Sequence, residues 1–243
     1  MKSFILLLAL LCTLSATTSA ADKPERLFLL IGQSNMSGRA PIGDADKDPI
    51  KNTFLLDAEG KWQPAANPLN QFSSIRKGLG MQKVSIGYGF AKAISKDTKE
   101  PIGLIVNAKG GSNIDEWTKD SKFFKEAMRR VEQAEKDGVK LEAVLWHQGE
   151  SNEKDDQYDK KLATLIEDLR KATGNKDLPF IAGEVVEGTA VNKFIAELPK
   201  KVKNTAVASS KGLKTYDRWH FDRDSIIKLG ERYAEAYLSL KKR

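Results

Sequence analysis

Cysteine is almost missing from this sequence: Cys12 is the only one among 243 residues. It lies in the amino-terminal stretch MKSFILLLALLCTLSATTSA, where Lys2 precedes an apolar run from Phe4 to Leu14 and small residues follow up to Ala20. That order is the pattern of a secretory signal peptide over residues 1–20, cleaved after Ala20 or Ala21. A lipoprotein anchor on Cys12 is the alternative; bulky Leu11 before the cysteine and the late small-residue region speak against it. Cleavage would leave no cysteine, which excludes disulfides, thiol catalysis and cysteine-ligated metals. Long apolar runs are missing as well. The run from Phe4 to Leu14 is too short to span a bilayer and no later one is long and apolar enough, so stable membrane insertion is not expected. The expected location is secreted or periplasmic.

Histidine is nearly as scarce, with only His147 and His220. Basic residues exceed acidic ones, 40 to 33, for a net charge of +7 to which Lys2 contributes one. The lysines are scattered along helical stretches and gather only in LPKKVKN and the terminal KKR. No arginine-rich arm and no interleaved aromatic pattern is present, so nucleic acid is not an expected partner. Solvated helix faces account for the charge.

Five short apolar runs read as strands: 27–31, 102–106, 141–146, 179–184 and 205–208. All but the last are apolar on consecutive residues, which suits a parallel sheet covered on both faces. Helical patterns lie between them. Phe124, Ala127, Met128 and Val131 share one face, with Gly138 as a stop. Tyr158, Leu162, Leu165, Ile166 and Leu169 repeat the pattern before Gly174. A final helix begins near Asp224 or Ser225 and should bury Ile226, Leu229, Tyr233, Tyr237 and Leu240. GYGFAKAISKDT supplies a short helix, and TFLLDAEGKWQPA reads as a hairpin around Ala58-Glu59-Gly60. The alternation predicts one doubly wound α/β domain over residues 21–243.

Sites in such sheets lie beyond the carboxyl ends of the strands. The exits here read GQSN, NAKGGSNIDEW and HQGESN, rich in Gly, Ser, Asn and Gln. The first places Ser34 where it could cap a helix or serve as a nucleophile. With two histidines, the candidates for a general base are few. His220 lies three residues after Asp217, and an aspartate that accepts from one ring nitrogen leaves the other free to take a proton from serine. Asp222 is a possible substitute for Asp217. His147, at a strand end, reads as support or substrate contact. The oxyanion formed by serine attack needs donors: the Ser34 N–H, the Gly110-Gly111 pair and the Gln148 amide are available.

The blocks GQSNMSGR, NAKGGSNIDEW, WHQGESN and DRWHF, in this order, resemble the SGNH-hydrolase superfamily and specifically its sialate O-acetylesterase-like carbohydrate esterases. The likeness spans nearly the whole mature chain. It implies a three-layer α/β/α domain of flavodoxin-like fold with a five-stranded parallel sheet. It also implies Ser34 as nucleophile, His220 as base and Asp217 as its orienter, with oxyanion donors from Ser34 N–H, Gly111 and Gln148. Most of the superfamily has asparagine in a Gly-x-Asn-Asp pattern in the third block, where this chain has HQGESN. Glutamine takes that role in the carbohydrate-esterase branch, and Asn113 and Asn152 are the alternative donors.

The expected activity is secreted hydrolysis of acetyl esters on carbohydrates through an acetyl-serine, with no metal and no organic cofactor. Gln33, Asn35, Trp117, Glu150 and Trp219 are the expected substrate contacts. The rival readings are an SGNH esterase or lipase for other short acyl esters, and a carbohydrate-binding protein without turnover on the same scaffold.

Overall fold

The computed structural model describes residues 23–242; the expected signal peptide and Cys12 lie outside them. Strand β1 (Arg26–Gly32) leads into a one-turn helix α1 (Ser34–Ser37), and the hairpin strands β2 (Thr53–Leu56) and β3 (Trp62–Pro64) follow. Then come α2 (Ile86–Asp97), β4 (Ile102–Val106), α3 (Lys122–Glu135), β5 (Lys140–His147) and α4 (Tyr158–Ala172). The chain finishes with β6 (Phe180–Gly183), α5 (Asn192–Lys201), β7 (Thr205–Ala208) and α6 (Arg223–Lys241). Helix α5 was not apparent in the sequence, because Pro199 sits inside it where proline normally breaks the pattern.

The sheet has the order β3-β2-β4-β1-β5-β6-β7. Its seven strands and mixed character correct the expectation of five parallel ones. The five anticipated strands are contiguous and parallel, and the hairpin extends them at one edge. There β2 runs parallel to β4 and β3 returns antiparallel. A short hairpin has little apolar surface of its own and gains stability by adding to an existing sheet. Arg130 of α3 secures it, donating through Nη1 to the Asp57 carbonyl (3.2 Å) and through Nη2 to that of Leu56 (2.6 Å). Burial pushes this guanidinium down to about 10.

Successive residues of β1 point to opposite faces, as the pleat requires. Leu27, Leu29 and Ile31 enter a core built with α3, α4 and α5, whereas Phe28 and Leu30 enter one built with α2 and α6. Each such aliphatic side chain contributes about 1.5–3 kcal/mol by burial. Two cores on two faces give the three layers. Strands β1 and β5 end in register, with Ile31 opposite Trp146 and Gly32 opposite His147, so their exits emerge side by side. Gly32 has φ +132°, and a β-carbon there would collide with the His147 carbonyl. Glycine is what lets β1 end tight against β5 and release the chain at Ser34.

Candidate active site

Ser34 opens α1 and is almost buried, at 6% exposure. It begins the helix without capping it: Gln33 is the cap residue, and its side chain does not bond the helix. As the first helical residue, Ser34 has an N–H with no intrahelical acceptor.

His220 reaches Ser34 from the turn before α6. A bridge between Thr215 and Phe221 closes this turn, and the Tyr216 N–H donates to the His220 carbonyl at 3.0 Å. Inside it, Asp217 Oδ1 accepts the N–H groups of Trp219 and His220, each at 2.7 Å. Its Oδ2 lies 2.7 Å from His220 Nδ1, and His220 Nε2 lies 3.0 Å from Ser34 Oγ. An ionised carboxylate can only accept, so Nδ1 carries the hydrogen and Nε2 offers its lone pair to the serine hydroxyl. Burial raises the Asp217 pKa, but the imidazole and the two N–H groups outweigh it and hold the carboxyl below its ordinary range. The Tyr216 ring stacks on the imidazole at 5.9 Å.

Asn35 holds the two halves together. It is fully buried; its Nδ2 donates to Glu150 Oε1 (2.8 Å) and to the Trp219 carbonyl (2.9 Å), and its Oδ1 accepts the Phe221 N–H (3.3 Å). Expected as a substrate contact, Asn35 instead has both polar atoms of its side chain engaged within the protein. His147 is also fully buried. Tyr233 gives its hydroxyl hydrogen to the Trp146 carbonyl at 2.6 Å and lies 3.1 Å from His147 Nδ1, and His147 Nε2 stands 3.5 Å from Glu150 Oε1. His147 therefore has the support role and no route to substrate.

After β4, residues Lys109–Ser112 form a turn. The Lys109 N–H donates to the Gly32 carbonyl (2.9 Å) and the Ser112 N–H to the Lys109 carbonyl (3.2 Å). Gly111, in its third position, has φ +74° and is exposed at the cleft. Gln148 does not reach the cleft. Fully buried, its Nε2 donates to the Ser112 carbonyl at 3.1 Å and to Asn152 Oδ1 at 2.6 Å. Both amide hydrogens are occupied, which corrects the expectation of a third oxyanion donor at Gln148. Asn152 is no replacement, since its Nδ2 serves Asn113 Oδ1 (3.1 Å) and Asp155 Oδ2 (2.9 Å). Asn113 in turn caps the helical turn after it through Oδ1.

The open cleft beside Ser34 and His220 is lined by Gln33, Gly110, Gly111, Glu150 and Trp219, together with Arg39, Lys77, Met81 and Ser151. Three of the five expected substrate contacts thus border it. Trp117 does not: it is buried at 1% exposure, packs edge-on against Trp146 and donates to Ser112 Oγ at 3.1 Å. Asp222 is not an alternative partner for His220; it caps α6 by accepting the Ser225 N–H at 2.8 Å. Arg39 and Lys77 were missed. The available signal for Arg39 was its place at the end of GQSNMSGR. Among the described residues no group of three or more His, Cys, Asp or Glu side chains is arranged to hold a metal ion, and no helix is long and apolar enough to cross a membrane.

Residues 24–239 match the family model described as carbohydrate esterase, sialic acid-specific acetylesterase. The chain is 31% identical over 257 residues to a probable carbohydrate esterase of Arabidopsis thaliana, covering 91% of this chain and 96% of that one. The X-ray structure of an Arabidopsis thaliana protein is similar with a TM-score of 0.80 at 29% identity, covering 89% of this chain and 99% of the other. A carbohydrate acetylesterase from Xanthomonas citri shares the fold, with a TM-score of 0.66 at 19% identity over 88% of this chain and 56% of its own.

Proposed function

Because the chain belongs to the carbohydrate esterase family of sialic acid-specific acetylesterases, we propose that it removes acetyl groups from carbohydrates by serine catalysis. The observation that carries this reading is the run of contacts from Asp217 Oδ2 through the His220 ring to Ser34 Oγ, 2.7 and 3.0 Å long. His220 Nε2 takes the hydroxyl proton as Ser34 Oγ attacks the ester carbonyl. The oxyanion is met by the N–H groups of Ser34 and Gly111. The C–O bond to the sugar then breaks, and the sugar oxygen leaves with the proton from Nε2. Water repeats the sequence: it gives a proton to Nε2, attacks the acetyl carbon and releases acetate, while Ser34 recovers its proton. Asp217 keeps the ring in the working tautomer throughout. Trp219 borders the cleft and offers an apolar face to a sugar ring. Gln148 acts from behind, through the Ser112 carbonyl.

The sequence of residues 1–20 supports export of this enzyme to the periplasm or beyond. The test of the function is acetate release from a panel of acetylated polysaccharides and sialosides by the wild type and by Ser34→Ala. The variant lacks one oxygen, so it should fold normally and lose several orders of magnitude in rate. Undiminished turnover by folded Ser34→Ala would remove the serine mechanism.

A further inference from the structure

Arg39 is held at one nitrogen and free at another. Its Nη1 donates to Ser37 Oγ (2.9 Å), the Gly38 carbonyl (2.6 Å) and the Met81 carbonyl (3.1 Å). Among the described residues no acceptor bonds Nη2, and no carboxylate forms an ion pair with the guanidinium. A half-buried cation without a counter-charge is disfavoured by desolvation, so its placement calls for a use.

Nη2 lies over Gly110. A β-carbon built on Gly110 would collide with it, and the same β-carbon would stand 3.9 Å from Ser34 Cβ. The space that a Gly110 side chain would take is therefore filled by the guanidinium, beside the serine. Gly110 also occupies the second position of the Lys109–Ser112 turn, whose third residue, Gly111, has φ +74°. That value belongs to a type II turn, in which the central peptide joins the Gly110 carbonyl to the Gly111 N–H. Flipping that one peptide gives a type I turn and exchanges the directions of its C=O and N–H. Two glycines in succession offer little resistance to such a flip. Something outside the turn has to choose the orientation.

We propose that Arg39 is a positioning residue for the esterase reaction: by occupying the space over Gly110 it holds the Gly110-Gly111 peptide with the Gly111 N–H presented to the oxyanion. This rests on the reading of Ser34 as nucleophile. Nη1 supplies the rigidity through its three oxygen partners, and Nη2 supplies the contact. Lysine cannot do the same, because a single ammonium lacks the planar fork.

The test uses a small neutral ester, 4-nitrophenyl acetate, so that no substrate carboxylate is present. Arg39→Gln should lower kcat by about 10–100-fold, the scale expected for a misdirected oxyanion donor, with KM changed less than about threefold. Arg39→Lys should not restore kcat. Gly110→Ala, which leaves Arg39 intact, should show a similar loss because its methyl group pushes against Nη2. In an Arg39→Ala background that methyl has room, so the double variant should lose less than the product of the two single losses. Near-normal kcat in Arg39→Gln and Gly110→Ala, beside an inactive Ser34→Ala, would overturn this inference alone. So would a defect confined to KM for acidic acetylated sugars, which would make Arg39 a binder of substrate carboxylate. An active Ser34→Ala would bring down the underlying mechanism as well.

Discussion

The Asn35 carboxamide donates to the Glu150 carboxylate at 2.8 Å, and its same nitrogen donates to the carbonyl of Trp219 at 2.9 Å. Asn35 follows the serine and Trp219 precedes the histidine. The spacing of Ser34 and His220, 186 positions apart in sequence, is thus fixed by one buried side chain. Asn35→Ala should leave the Glu150 carboxylate and the Phe221 N–H short of partners. A destabilisation of about 2–3 kcal/mol should result, with a loss of kcat from the slackened His220 turn. Asn35→Asp should be worse, since it sets a second carboxylate against Glu150. Thermal melts and steady-state kinetics on both variants check this; a melt of Asn35→Ala matching the wild type would contradict it.

Asp217 gives a prediction with a sign. Its carboxyl is held below its ordinary range, because the hydrogen bonds from His220 and Trp219 outweigh the burial that opposes them. A group depressed in the folded state contributes above its unfolded pKa and loses that contribution as pH falls through its folded pKa. The Asp217 carboxyl therefore stays ionised further into acid than an ordinary carboxylate does. An acid limb of activity should thus not arise from the Asp217 carboxyl and should persist, at lower amplitude, in Asp217→Asn. That variant should lose about 10³–10⁴ in kcat, because an amide no longer enforces the Nδ1–H tautomer. A pH–rate profile of the two proteins decides it. Disappearance of the acid limb in the variant would tie it to Asp217 instead.

Gln148 yields a prediction about stability before rate. Its two amide hydrogens hold Ser112 after β4 and Asn152 after β5, joining two strand exits. Gln148→Ala should lower stability by about 1–3 kcal/mol, as the Ser112 carbonyl and Asn152 Oδ1 lose a buried donor. Gln148→Glu should be at least as harmful, since it sets acceptor against acceptor. Asn152→Ala breaks the same junction, so combining it with Gln148→Ala should cost less than the sum of the separate effects. Denaturant titration of the wild type and these four variants measures this. Additive effects, or a large kcat loss without any change in midpoint, would return Gln148 to the oxyanion.

The apolar runs that became the parallel strands were legible because a strand buried on both faces shows it in nearly every residue. That Ser34, Asp217 and His220 meet was legible because the chain has two histidines, one of them three residues after an aspartate, and because the motif blocks around them resemble a known family. The hairpin was visible, but its place in the sheet was not: β2 pairs with β4 across about fifty residues, and no local pattern encodes that register. Trp117 misled for a different reason. A tryptophan in a polar strand exit looks like a sugar platform, and only tertiary packing on Trp146 turns it into core. Gln148 misled because its sequence position says nothing about which way an amide turns; Ser112 and Asn152 decide that.

Behind the site, an ion pair anchors the start of α6. Asp46 is buried at 1% exposure, and the Arg223 guanidinium meets it with two nitrogens, Nε and Nη2, each 2.7 Å from a carboxylate oxygen. The Gly43 N–H adds a third bond at 2.9 Å. Arg223 is the first residue of α6, three positions beyond His220, so this pair sets where the helix begins and how the His220 turn hangs from it. Hydrogen bonding from Arg223, against the opposing effect of burial and aided by Gly43, holds the Asp46 carboxyl below its ordinary range. The pair should therefore stabilise the fold fully above the unfolded carboxyl value of about 4 and fade as pH falls below it toward the lowered folded value. Asp46→Asn should destabilise the protein at neutral pH by about 2–3 kcal/mol, less than for a fully buried pair because Arg223 is partly solvated. The gap between variant and wild type should shrink in acid, where the wild-type carboxylate also becomes neutral. Urea titrations from pH 7 to pH 3 give that difference directly. A gap that stays constant, or widens, as pH falls would show that the stabilisation does not come from the charge on Asp46.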